Sequence, residues 1–216
     1  MKSRIPNRNS ISRKVKVQKK YNEYILVVTE GEKTEPIYFN ALRKAERIIT
    51  AKLEVCCSEY GSNPLSVVDY AIDLKRENLR ANKRDGEPKY DVIYCVIDRD
   101  DHERYHEAIS KAKGNGIEVI RSIPCFEFWY LLHFGYTSRS YDKRNILYSR
   151  LKSLIGSYEK SDSVYLLLRD KIDKAILNAQ RLRVEHSKVL DLEKEHPNPY
   201  TEVDLLVTRL LTLSDQ

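Results

Sequence analysis

The sequence predicts an α/β fold: an open, mostly parallel four-stranded sheet flanked by helices, followed by a helical C-terminal annex. Three observations carry this. Ile25-Leu26-Val27-Val28-Thr29 and Val92-Ile93-Tyr94-Cys95-Val96-Ile97 are continuous, largely β-branched apolar runs, the pattern of strands buried on both faces of a parallel sheet. Strand-like and helix-like segments alternate as far as about residue 122, which demands crossover connections. Beyond that point no strand pattern is read, and only helical periodicity continues.

The elements follow in order. A strand at 24–29 leads through Glu30-Gly31 into a helix over 34–49, with Thr34 as its N-cap and Pro36 in its first turn. Residues 53–57 form a short strand. Gly61-Ser62-Asn63-Pro64 breaks the chain and opens a helix over 64–81, whose Leu65, Val68, Ile72 and Leu79 fall near helical spacing. After the Asp85-Gly86-Glu87-Pro88 loop, a strand at 91–97 precedes a polar helix over 101–113, stopped by Gly114-Asn115-Gly116. Residues 117–121 are the fourth strand. The aromatic block from Pro124 to Phe134 holds the one Trp and reads as a buried helix. Further helices are expected at 141–155, 163–182 and 201–213, the last behind a Thr201-x-x-Asp204 capping box. The division is a basic arm (1–21), an α/β core (22–122) and an annex packed on the core (123–216).

At 216 residues the chain can bury a substantial core. No apolar stretch approaches the roughly 20 residues of a transmembrane helix, and no apolar segment follows the basic N-terminus as a secretory signal requires. A cytoplasmic protein without membrane association is expected. Cys56, Cys57, Cys95 and Cys125 lack C-x-x-C spacing and read as reduced thiols, not zinc ligands. Of 38 basic residues, eight lie within residues 1–20, which contain no acid; the other 30 face 32 acidic residues. The pI of about 9.0 therefore belongs mostly to the arm. Such an arm is disordered alone, and is either a phosphate-neutralising tail or a frayed terminus.

Each long apolar run ends in acids: Glu30-Gly31-Glu32 with Glu35 after the first, Asp98-Arg99-Asp100-Asp101 after the second. Ligands of open parallel sheets gather beyond the carboxyl ends of the strands. Carboxylates crowded there repel one another unless a cation joins them, and hard oxygen donors select Mg²⁺ or Mn²⁺. Either cluster alone also matches ordinary caps and turns. Side chains two apart on an extended segment point the same way, so Asp98 and Asp100 can meet one ion. Asp101 suits the N-cap of the next helix, Arg99 points away, and Glu32 reads as a surface acid.

An apolar strand ending in Glu-Gly and a later one ending in Asp-x-Asp resemble the Toprim fold of topoisomerases, primases and overcoming-lysogenization-defect (OLD) nucleases. Thr29-Glu30-Gly31-Glu32-Lys33-Thr34-Glu35, Asp98-Arg99-Asp100, the block Cys125-Phe126-Glu127-Phe128-Trp129 continuing to Phe134, and Asn198-Pro199-Tyr200-Thr201 together resemble the RloB-like family over about residues 22–212. The resemblance implies a bacterial protein encoded near restriction–modification or abortive-infection genes, often beside an OLD- or ABC-type ATPase partner. It also implies a Mg²⁺- or Mn²⁺-dependent endonuclease acting in antiphage defence, with RNA or tRNA favoured over DNA by analogy with toxic Toprim effectors. The other reading is a catalytically weak Toprim-like module that binds a partner ATPase.

By that resemblance Asp98 and Asp100 bind the metal, and Glu30 is the general acid/base or a further ligand. Glu35 is placed to reach a second ion. Gly31 allows a sharp turn beside phosphate or metal. Lys33 is either a phosphate contact or an exposed loop residue. Glu127, an acid within an aromatic block, either completes the metal shell or holds a basic side chain of the annex. His102 and His133 are candidate bases that more commonly pack in cores. Arg139, Lys143, Arg144, Arg150 and Lys152, interleaved with Tyr136, Tyr141 and Tyr148, suit single-stranded or looped nucleic acid or ordinary helix packing.

Overall fold

The computed structural model describes residues 22–99, 104–188 and 197–214. The basic arm (1–21), Asp100, Asp101 and His102 lie outside these residues.

Five strands form one sheet in the order β2-β1-β3-β4-β5. They are β1 (Glu23–Thr29), β2 (Ala51–Cys57), β3 (Val92–Asp98), β4 (Glu118–Ile123) and β5 (Tyr200–Thr201). The first four are parallel, and β5 runs antiparallel to β4, pairing Ser122 with Thr201 and Ile123 with Tyr200. The expected four-stranded sheet is thus five-stranded. The extra strand comes from the C-terminal region, where two residues are too few to show a period-two pattern.

The continuous apolar runs have their expected cause. Ile25 and Val27 face one buried cluster, while Leu26 and Val28 face another on the opposite side. The second side is covered by α2 (Pro64–Asp85) and α3 (Tyr105–Gly114). The first is covered by α1 (Thr34–Ala45), α4 (Glu127–Leu132), α5 (Arg144–Ile155), α6 (Tyr165–Leu168), α7 (Ile172–Ser187) and α8 (Val203–Leu211). Residues before and after position 122 therefore share one apolar cluster, with Phe39, Trp129, Leu182 and Leu206 all fully buried in it.

Several boundaries differ from expectation for local reasons. α2 runs four residues past 81 and ends where Gly86 takes a left-handed conformation, φ 70°. Its start is as read: Pro64 occupies the first turn, and the Asn63 side chain accepts from the Ser66 N–H at 3.0 Å. Thr34 is not a cap but the first residue of α1, its hydroxyl turned to Glu127 and the Lys160 carbonyl. The helix read over 163–182 divides into α6, a 3₁₀ turn at Arg169–Lys171, and α7. The expected capping box does not form. The N-cap is Glu202, Thr201 Oγ1 accepts from the Val203 N–H two residues on, and Asp204 is fully buried and paired with Arg183. Among the described residues, no helix is long and apolar enough to cross a membrane.

Candidate active site

The sheet register brings the two acidic clusters together. Thr29 of β1 lies beside Val96 of β3, so the residue after β1 and the last residue of β3 are neighbours across the pair. The Glu30 N–H continues the ladder to the Val96 carbonyl (3.2 Å), and its carboxylate accepts from the Asp98 N–H at 3.1 Å. Both side chains are buried. Asp98 Oδ2 lies 3.6 Å from Arg144 Nη2, whereas Asp98 Oδ1 is buried with no hydrogen-bond partner among the described residues.

Two further acids close the site from the helices that follow β1 and β4. Glu35, in the first turn of α1, is buried with its carboxylate against the backbone of Gly31. Gly31 does not have a positive φ. A Cβ at that position would lie 2.4 Å from Glu35 Oε2, so any larger residue would oblige the Glu35 carboxylate to shift. The expected sharp-turn role therefore gives way to close approach of a carboxylate. Glu127 begins α4 and is 2% exposed. Among the described residues, hydroxyls hydrogen-bond to it: Tyr158 Oη donates at 3.2 Å, and Thr34 Oγ1 at 3.4 Å.

These residues line one cleft of about 590 Å³, with Glu32, Lys33, Ser62, Arg144 and Lys160 completing it. Five carboxylates thus face three cationic side chains. The imbalance appears as proton retention. Burial, then the charge of Glu127, pushes Glu35 up to about 7, against its backbone hydrogen bonds and Lys160. Burial, followed by Glu35, Glu30 and Glu127, holds Asp98 well above the usual carboxylate range, with Arg144 opposing. No group of three His, Cys, Asp or Glu side chains among the described residues is close enough to ligate a metal ion. The donor set nevertheless suits a hard divalent cation: oxygen ligands only, one of them a buried carboxylate oxygen without a partner.

Other expected residues divide. Lys33 is exposed on the cleft rim. Arg99 turns its guanidinium toward the Tyr105 ring (5.8 Å). His133 is fully buried, with Nδ1 3.0 Å from the Trp129 carbonyl and its pKa lowered to about 4 by burial, which marks a core residue. Of the five basic residues between 139 and 152, Arg144 belongs to the acidic cleft, and Lys152 pairs with Glu159 at 2.9 Å. Lys143 is exposed at the start of α5, and Arg139 and Arg150 border a separate groove. Sequence reasoning missed Lys160, Tyr158 and Ser62 as site neighbours. They sit in loops without periodicity, and nothing local marks them.

Fold and site define an α/β protein whose acidic cleft lies at the carboxyl ends of two adjacent parallel strands. The chain belongs to the RloB-like family: the family model described as RloB-like protein matches residues 25–210. A search of curated proteins and a search of solved structures each gave no match.

Proposed function

We propose that this protein is a Toprim-type, Mg²⁺- or Mn²⁺-dependent endonuclease that serves as a cytoplasmic effector of bacterial antiphage defence, with RNA, including tRNA, as its substrate class. The observation that carries the reading is the Glu30–Asp98 contact in a cleft of excess negative charge, with Asp98 Oδ1 buried and without a hydrogen-bond partner among the described residues. Membership of the RloB-like family supports it.

Asp98 and Asp100 would hold the ion, with Glu30 and Glu35 as further oxygen donors. A bound divalent cation supplies Lewis-acid polarisation of the phosphate and stabilises charge on the attacking and leaving oxygens. Glu30, fixed by the Asp98 N–H, accepts a proton from the attacking water or acts as a further ligand. Lys33, Arg144 and Lys160 offer positive charge to a phosphate entering the cleft. Glu127 and Tyr158 support Thr34 and keep the cleft wall in place.

The second reading is a binding module docked on an OLD- or ABC-type ATPase. One experiment separates the two. Purified protein is incubated with total RNA, single-stranded DNA and plasmid, in Mg²⁺ or Mn²⁺ and in EDTA. The proposal expects metal-dependent RNA cleavage, and the absence of turnover on every substrate favours the binding module.

A further inference from the structure

A second concavity, of about 650 Å³, lies on the annex. Its accessible apolar surface comes from Phe134, Tyr136, Ile146 and Leu154 over buried Leu131 and Tyr141, and its charged side chains are Arg139 and Arg150, with no carboxylate in its lining. Neither arginine has an acidic partner among the described residues, and both are exposed. An aromatic wall is already ordered: the Tyr136 hydroxyl donates to Glu185, and the Arg181 guanidinium lies 3.9 Å from the centre of the Tyr136 ring. This groove and the acidic cleft share two helices. α4 contributes Glu127 to the cleft and Leu131 to the groove, four residues and therefore about 6 Å apart along the axis. α5 contributes Arg144 to the cleft and Ile146 and Arg150 to the groove.

From this arrangement we infer that the groove receives a nucleotide of a single-stranded nucleic acid, the base on its apolar and aromatic surface and the backbone on Arg139 and Arg150. The chemistry is complementary. An apolar, aromatic-walled groove suits an unpaired base, which a duplex cannot present. Two arginines without acidic partners suit the phosphates beside it. The groove also adds to the net-negative acidic cleft a further patch of positive charge for a polyanion, one helical turn away. The inference deepens the nuclease reading and rests on it for the identity of the polymer.

The test is fluorescence anisotropy in EDTA at several salt concentrations, using the full chain with single-stranded RNA, single-stranded DNA and duplex of one sequence. Two variants are compared: Arg139→Ala/Arg150→Ala, and Ser149→Trp, at an exposed residue of the groove lining, which fills the groove without changing charge. Single strands are expected to bind more tightly than duplex. The double variant should weaken them about tenfold or more and reduce the salt slope by about 1.4, at roughly 0.7 per lost contact. Ser149→Trp should weaken binding with the slope and thermal midpoint kept. Equal affinity of wild type and Ser149→Trp, or duplex binding as tight as single strands, overturns the proposal. EDTA removes turnover from the measurement, so the two claims fail separately. A wild type that binds through the groove but never cleaves with Mn²⁺ would remove the nuclease reading alone.

Discussion

The Glu30 carboxylate accepts a hydrogen bond from the backbone N–H of Asp98 at 3.1 Å, joining the ends of β1 and β3. The acceptor belongs to the first acidic cluster and the donor to the second, so this bond fixes the spacing at the mouth of the cleft. Glu30→Gln keeps an acceptor oxygen for that N–H but cannot take a proton. It should leave Mn²⁺ affinity within a few fold and lower turnover by about 10²-fold or more, in line with general base catalysis. Calorimetry beside a cleavage assay checks this, and parallel loss of both would make Glu30 a ligand.

Glu35 and Asp98 make stability fall as pH rises. Both retain protons in the folded state, Glu35 at about 7. Below the unfolded carboxylate range both states are protonated. Between that range and about 7 the unfolded chain releases protons that the folded one keeps, and folding is penalised. The loss from Glu35 is on the order of 3 kcal/mol by pH 8, and Asp98 adds in the same direction. Thermal melts in EDTA from pH 4.5 to 8 should show a falling midpoint, less steep in Glu35→Gln. A midpoint that rises across this window contradicts the buried acidic cluster.

Gly31 and Glu35 should be energetically coupled. An alanine at 31 places its Cβ 2.4 Å from Glu35 Oε2 and forces the buried carboxylate to move. Gly31→Ala alone should cost about 1–2 kcal/mol, within the range for overpacking, and impair activity. In a Glu35→Ala background the same change should cost almost nothing. Urea denaturation of the four proteins completes the cycle, and additive effects would show that Gly31 serves some other purpose.

Much of this was legible in the sequence, and the rest was not for physical reasons. β1 and β3 announce themselves because both faces are buried, so every position from Ile25 to Val28 is apolar. Glu30, Glu35 and Asp98 follow from their places after those strands. β5 was hidden because Tyr200–Thr201 is two residues long, and its pairing depends on the C-terminal chain returning to β4. Arg144 read as one of five basic residues between 139 and 152, yet its guanidinium is 3.6 Å from Asp98, while Arg150 on the same helix faces another groove. Only tertiary packing separates them. Gly31 was legible as a site residue, but its close approach to a carboxylate from the next helix was not.

Removing the Asp98 charge should stabilise the metal-free protein. Burial, then three neighbouring carboxylates, raise its proton affinity, and Arg144 only partly compensates. Asp98→Asn in EDTA at pH 8 should melt at the wild-type temperature or a few degrees higher, as about 1 kcal/mol implies for a chain this size. A midpoint lower by more than that would mean that the Arg144 contact outweighs the repulsion.

The most direct measurement is calorimetric titration of Mn²⁺ into the full chain at pH 8, wild type against Asp98→Asn. If Asp98 anchors a divalent cation at the β1–β3 edge, wild type shows a saturable site and the variant loses at least about tenfold in affinity, the scale on which even an outer-shell partner of a ligand is felt. Equal Mn²⁺ affinity in the two proteins, or no saturable binding in wild type, would contradict the account.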